Sequence, residues 1–419
     1  MACKKNEKIA LFENTIAIAI TQIVSYIIPL VSLPYLSRVL GVEKFGLVFW
    51  AQACIMYFTI FTEYGFNLSA VREIAICKEN QNKIAKIFNS VMVCKFILII
   101  LSFIILTSLI LIIPKFRVEW QLFYLTFFMV IGNAIYPIWY FQGIQHMKYV
   151  TMLNIIARLI FLLLIFVFVK SPSDYHLVAI LNSIGCIIAG LTGIYIAIKR
   201  FNLRLFIPSF PMVIHEFKYS TEFFLARISE TFYTNTNAFV LGLVATPVLV
   251  GYYVAAEKIF QAVHSISAPV GIALYPYISK TKNVKLYKKI FYPTALAMIF
   301  ISIFVYIFAQ NLIIIFYGKE MMLAYHTLRI FCITVIFSSL SGLIGYPLVA
   351  AMGHTKIVNV SLSIAAGVHI LILSVLFILN KLNITTLAYL TIIPYAIMLL
   401  IRIYGIIKYR LWNYNQEGI

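Results

Sequence analysis

Acidic residues are scarce in this chain. Its 419 residues hold 14 Asp and Glu against 33 Lys and Arg, and Asp174 is the single aspartate. No acidic pair suits metal-dependent glycosyl transfer, and neither HExxH nor GxSxG occurs, so the familiar hydrolytic motifs are missing. The chain also lacks a GxxxxGK[ST] loop, which excludes ATP binding by that route. Six cysteines, Cys3, Cys54, Cys77, Cys94, Cys186 and Cys332, show no CxxC and no partnering His spacing. They read as structural thiols, with no metal and no cofactor expected. No connection runs much beyond about twenty residues between apolar runs, so no soluble domain is expected. Met1–Ala10 carries Lys4, Lys5 and Lys8 without an h-region or cleavage site, and reads as the cytoplasmic lead of an uncleaved span.

What fills the chain instead is apolar. Hydrophobic residues make up 63% and charged ones 11%, with a mean hydropathy of +0.97. Twelve stretches are long enough to cross a bilayer, near 15–38, 45–67, 84–113, 119–142, 150–170, 175–199, 219–242, 248–279, 289–317, 323–351, 355–380 and 384–408. None shows the short alternating strands of a barrel, so the expected fold class is an all-α polytopic membrane protein. With the N-terminus inside, cytoplasmic segments hold twenty Lys and Arg and the opposite side seven. That asymmetry places both termini in the cytoplasm. The net charge of +19 is then mostly topology, and no nucleic acid partner is needed.

The chain resembles itself. Gly132-x3-Tyr136-Pro137-x5-Gly143 recurs as Gly342-x3-Tyr346-Pro347-x5-Gly353, 210 residues later, and Gly46, Ala51 and Gln52 fall on Gly251, Ala256 and Glu257 at an offset of 205. The repeat predicts two six-helix lobes, 1–205 and 206–419, related by a pseudo-two-fold axis along the membrane normal. At the same offset the first-span stripe Gln22, Ser25, Pro29 and Ser32 meets Arg227, Glu230, Thr234 and Asn237. Each set lies on one helical face and is expected to line a cavity, although Ser, Thr and Asn also join neighbouring helices. Pro29, Pro34, Pro137, Pro269, Pro276, Pro347 and Pro394 lie within spans and mark places where the lobes could flex.

Six basic residues lie within spans: Lys95, Arg158, Arg227, Lys258, Arg329 and Arg402. Lys95 and Glu230 sit about 16 Å, and Arg158 and Arg227 about 12 Å, from their cytoplasmic helix ends. Each costs roughly 2.5–3.5 kcal/mol or more facing lipid at mid-depth, so each needs water, a partner or a ligand. Arg402 and Glu63 are close enough to the cytoplasmic face to snorkel. Arg227 and Glu230, three apart, can pair on their own helix. Lys95, Arg158, Lys258 and Arg329 have no acid at helical spacing, and predict a wet cationic chamber between the lobes that would take a phosphorylated cargo. Glu63, Glu222, Glu230 and Glu257 are candidates for proton coupling. His264, His326 and His369 read as packing residues.

Residues 33–53, LPYLSRVLGVEKFGLVFWAQA, and 139–150, WYFQGIQHMKYV, resemble signature segments of bacterial O-antigen flippases. These belong to the multidrug/oligosaccharidyl-lipid/polysaccharide export superfamily. The resemblance covers essentially the whole chain. It implies two lobes around a cavity open to one side at a time, moving an undecaprenyl-diphosphate-linked oligosaccharide from the cytoplasmic to the periplasmic leaflet of the inner membrane. Basic cavity residues would hold the diphosphate, with proton or cation coupling. An O-antigen polymerase and a chain-length regulator are implied as further partners, beside membrane lipid. Arg38, in Ser-Arg-x-Leu-Gly, and Gln142–Gly143 are the motif positions that carry over; Arg38 either meets substrate or anchors a helix end at the interface. The alternatives are a multidrug exporter of the same superfamily, whose cavity should be acidic and aromatic, and a membrane enzyme such as a polymerase.

Overall fold

The computed structural model describes residues 28–77, 80–225, 227–228 and 231–412 in full, and the backbone alone at 2–27, 226, 229, 230 and 413. Every regular element among them is helical. In chain order these are α1 Ala2–Glu63, α2 Phe66–Ile76, α3 Gln81–Ile112, α4 Pro114–Val118, α5 Trp120–Ile135, α6 Ile138–Gly143, α7 Met147–Phe168, α8 Tyr175–Phe201 and α9 Phe210–Thr234. Then follow α10 Thr236–Val244, α11 Pro247–Ser265, α12 Ala268–Thr281, α13 Val284–Ile307, α14 Ala309–Tyr317, α15 Ala324–Ile344, a π-helical turn Gly345–Ala350, α16 Thr355–Ile378, α17 Ile384–Leu390 and α18 Ile392–Lys408. By length and composition, nine helical stretches among the described residues can cross a membrane. The all-α polytopic class expected from the sequence is what the structure shows. The chain divides into two compact units, Met1–Ile228 and Ser229–Ile419. The lobe boundary expected at 205/206 lies in the non-helical segment 202–209 ahead of α9.

Several expected spans are broken helices, and each break has a local cause. The first two join in α1, which kinks at Gly41, the glycine of the Ser-Arg-x-Leu-Gly motif, with φ 70° and ψ 170°. Only glycine adopts that conformation without strain. The fourth span divides into α5 and α6 because Pro137 cannot donate a helical hydrogen bond. Gly143 of the second motif packs so tightly that an added Cβ would stand 2.7 Å from Ile74 Cβ. The motif glycine is there to let α6 lie on α2.

The two Pro-centred breaks share a turn but not a register. His146 N donates to the Phe141 carbonyl at 2.8 Å and His354 N to the Val349 carbonyl at 3.1 Å. Gln145, with φ 61°, corresponds to Gly353, with φ 101°. These turns match at an offset of 208, two less than the sequence motif. The aligned pair Gly143 and Gly353 therefore does two different jobs, one in a helix contact and one in a left-handed turn.

At the second break Pro347 leaves the Leu343 carbonyl, four residues back, without its helical donor. The buried Tyr287 hydroxyl supplies it instead, at 3.1 Å, which is how a proline is accommodated in lipid. Two residues earlier, at Ser341, Arg402 reaches the same helix. Its Nη1 donates to the Ser341 carbonyl at 2.6 Å and to Ser341 Oγ at 2.8 Å, and its Nε donates to Ser361 Oγ at 3.2 Å. Gly345 makes room, since a Cβ there would stand 2.7 Å from Nη1. Arg402 does not snorkel, as its position suggested. It is 5% exposed and knits α15, α16 and α18, because three oxygens replace the water it would otherwise seek.

In the first unit α2 lies antiparallel against the start of α9. Ser69 Oγ and Ser220 Oγ share a 2.7 Å hydrogen bond, and Tyr64 stacks on Phe224 at 4.6 Å. Gly65 touches the partner backbone: an added Cβ would meet Phe223 Cβ at 2.7 Å, and its φ is +76°.

Two predictions follow from these contacts. Gly65→Ala should lower the thermal stability of the detergent-purified protein by about 1–3 kcal/mol, through overpacking and a disfavoured φ; an unchanged melting curve contradicts the contact. Arg402→Lys should also destabilise although it keeps the charge, because the fork that serves Ser341 and Ser361 is lost, at about 1.5–3 kcal/mol per charged hydrogen bond. A melting temperature equal to wild type would show that charge alone matters there.

Candidate cation-lined transport site

Helix α3 is apolar on all sides, yet the structure buries one stripe of it: Ile84, Phe88, Val91, Lys95, Leu98, Ser102, Leu106 and Ile110. The 3–4 spacing defines a single face. Phe96, Ile100, Phe103 and Ile104 on the remaining surface are exposed, as suits lipid contact. Lys95 belongs to the buried face and is 2% exposed. The half-buried Glu63, at the end of α1, lies within electrostatic reach of it. A cation expected deep in the membrane and an acid expected near its cytoplasmic face are thus brought together, by two helices whose sequences give no sign of being neighbours.

The other expected residues of the first unit are spread out. Arg158 on α7 is half-buried and interacts with Cys186 on α8, where Gly185 packs against the Ala157 carbonyl. Ser32 is buried, while Arg38, Glu222 and Arg227 are exposed. The side chains of Gln22, Ser25 and Glu230 lie outside the described residues. Gln142 is half-buried at the end of α6.

The second unit holds a cavity of about 590 Å³ lined by Leu249, Tyr252, Tyr306, His326, Thr327, Arg329, Thr385 and Tyr389, among others. Its cation is Arg329, whose guanidinium stands over the Tyr306 ring at 5.2 Å and the Tyr325 ring at 5.0 Å. Arg329 Nε also donates to the Tyr306 carbonyl at 3.4 Å. Aromatic faces hold the cation without neutralising it, so its charge remains available to an anion. His326, read from the sequence as a packing residue, lines this cavity. Lys258 on α11 is half-buried and bonds Gln261 Oε1 at 3.3 Å, and the adjacent Glu257 is 9% exposed. Asn237 is buried and donates to the Leu387 carbonyl at 3.3 Å. Thr234 ends α9 and accepts from Asn235 Nδ2 at 2.8 Å. Asn237 is thus a helix-to-helix tie. His264 Nδ1 bonds Ser338 Oγ at 3.0 Å and His369 is fully buried, both in keeping with packing.

Sequence reasoning missed one polar cluster. Glu73 near the end of α2 and His215 and Glu216 near the start of α9 place one ligand atom each within 4.8 Å of one another. The α2–α9 register brings them there, since Glu73 and Glu216 are one helical turn beyond the Ser69–Ser220 pair. Burial, and then the facing Glu73 carboxylate, push the Glu216 carboxyl up to about 8. Neither helix carries a periodic signal of this contact.

Comparison with known proteins agrees with this architecture. The chain matches the polysaccharide biosynthesis protein family over residues 11–282. It is 33% identical over 288 residues, 67% of this chain and 69% of the relative, to a protein of Escherichia coli (strain K12) provisionally named an O-antigen transporter. A Shigella dysenteriae protein with the same provisional name is 27% identical over 362 residues, 86% of this chain and 91% of that one. Among solved structures, the fold resembles the lipid II flippase MurJ in an inward closed conformation, with a TM-score of 0.74, 17% identity, and coverage of 96% of this chain and 90% of that one. An inward-facing multidrug resistance MATE family transporter is similar at a TM-score of 0.64 and 13% identity, with 92% and 94% covered. The helices, the broken spans, the buried intramembrane charges and the family match converge: the chain is a multi-pass membrane protein that belongs to the polysaccharide biosynthesis protein family.

Proposed function

We propose that this protein is a flippase, moving an undecaprenyl-diphosphate-linked O-antigen or related oligosaccharide from the cytoplasmic to the periplasmic leaflet of the inner membrane, with both termini in the cytoplasm. The observation that carries the reading is Lys95, a cation on the one buried face of a helix that is otherwise greasy all round. The named relatives and the likeness to a lipid II flippase support the substrate class. Expected partners are the lipid-linked oligosaccharide and, beyond it, an O-antigen polymerase and a chain-length regulator.

A lipid diphosphate does not cross hydrocarbon unaided, because its charges and sugar hydroxyls would lose their water. Side chains that replace that water remove the barrier. In this mechanism Lys95 and Arg158 of the first unit and Lys258 and Arg329 of the second act as diphosphate contacts, with Arg38 and Arg227 at more exposed positions. Ser32 and Thr234, with Gln22 and Ser25, supply polar surface for the sugars, while Asn237, expected beside them, ties its helix to α17. Alternating access exposes the head to one side and then the other, while the polyprenyl tail stays in lipid. Outward movement of net negative charge is favoured by an interior-negative potential, by about 2.3 kcal/mol per charge per 100 mV. Coupling to protons or cations runs through Glu63, Glu222, Glu230 or Glu257, of which Glu257 is the buried acid of the second unit. Export of cationic drugs is the weaker reading, since the surplus of intramembrane charge is basic.

Lys95→Ala, Arg158→Ala and Arg329→Ala should each lower flipping of a lipid-linked unit in proteoliposomes by about tenfold, the loss of roughly 1.4 kcal/mol of anion contact. Membrane levels measured in parallel separate transport from insertion. Wild-type rates in all three well-inserted variants would falsify the cationic path. Glu257→Gln should flatten the pH dependence of the same assay, and a profile superimposable on wild type removes Glu257 as the proton carrier.

A further inference from the structure

Glu216 presents a problem that the transport reading leaves unsolved. Its side chain is 5% exposed, and its Oε2 is buried without a hydrogen-bond partner. Glu73 faces it, and its Oε2 is likewise buried and unpartnered. Two carboxyl groups confronting one another inside a helix contact repel when both are ionised, and each oxygen left without a donor adds a desolvation cost. Such an arrangement persists where a shared proton or a metal cation sits between the oxygens. The neighbouring His215 offers Nδ1 at 4.0 Å from Glu216 Oε1, on a side chain that is 65% exposed.

We propose that Glu73, His215 and Glu216 form a binding site for a divalent transition-metal ion that clasps α2 to the start of α9. One imidazole nitrogen with two carboxylates is a borderline donor set, suited to zinc or manganese rather than to calcium or magnesium, which take oxygen ligands alone. Ligand atoms about 2.1 Å from a tetrahedral ion stand about 3.4 Å apart, so the 4.8 Å cluster closes with shifts of about 1 Å. His215 supplies most of this movement. Tyr219, stacked beside His215 with rings 6.1 Å apart, and the His215 face open to solvent give the ion an entry path. The Ser69–Ser220 bond one turn away holds the two helices in register whether or not the ion is present. The site does not depend on the cargo proposed above.

The test uses the full-length protein purified in detergent and stripped of metal, titrated with Zn²⁺ by calorimetry. Co²⁺ serves as the coloured substitute that reports tetrahedral nitrogen and oxygen ligation. Wild type should bind one equivalent saturably and gain thermal stability, with Mg²⁺ giving neither effect. His215→Ala, an exposed and fold-safe change, and Glu216→Gln should each weaken Zn²⁺ binding by about tenfold or more, whereas His326→Ala should leave it unchanged. Absence of saturable binding in wild type, or affinity unmoved in both variants, overturns the site and leaves a proton shared by two carboxylates as the explanation.

Discussion

A charge taken into hydrocarbon must be met by something, and this rule governs where the basic residues of the chain are found. Lipid supplies no hydrogen bonds, so an intramembrane arginine or lysine has to find protein oxygen, an aromatic face, a carboxylate or a water-filled space. The structure uses several of these in turn. Arg402 is wrapped by serine oxygens and a carbonyl. Arg329 rests on tyrosine rings beside a cavity. Lys95 is buried near Glu63. The first is a fastening, whereas the second keeps its charge for other use. Depth in the sequence could not separate them; only the surroundings do.

The same rule operates on the backbone. Each proline within a span removes a donor, and the freed carbonyl needs a new partner. At Pro347 the partner is Tyr287, from a different helix. At Pro137 the chain instead separates into two helices whose second member is held by the Gly143–Ile74 contact. Similar sequence in the two halves therefore gives similar turns with different supports.

Much of the fold was legible in the residues. Apolar run length alone gave the all-helical membrane class, the gap between the first two runs contains the kink at Gly41, and Pro137, marked as a bend, is where the fourth span breaks. Other features were not legible, for a physical reason. Hydropathy records how greasy a helix is but not which face is covered, and α3 is greasy all round, so the burial of Lys95 and its approach to Glu63 depend on packing. The Glu73–His215–Glu216 cluster arises from an antiparallel contact between segments far apart in the chain. Arg402 was misjudged because its distance from the helix end suggested snorkelling, when the serines of two other helices lay within its reach. The matched glycines Gly143 and Gly353 illustrate the converse, an aligned pair whose members are required for unrelated reasons.

The elbow at Pro347 has a consequence for motion. Prolines in transport helices are readily taken for hinges, but this one is stapled, by the Tyr287 hydroxyl at the carbonyl its missing donor leaves free and by the Arg402 guanidinium two residues before that carbonyl. Both fastenings grip the last turns of α15, ahead of the bend, and hold that arm against α13 and α18. The end of α15 should therefore travel with α13 and α18, which leaves articulation of the carboxy-terminal unit to joints that lack such stitching.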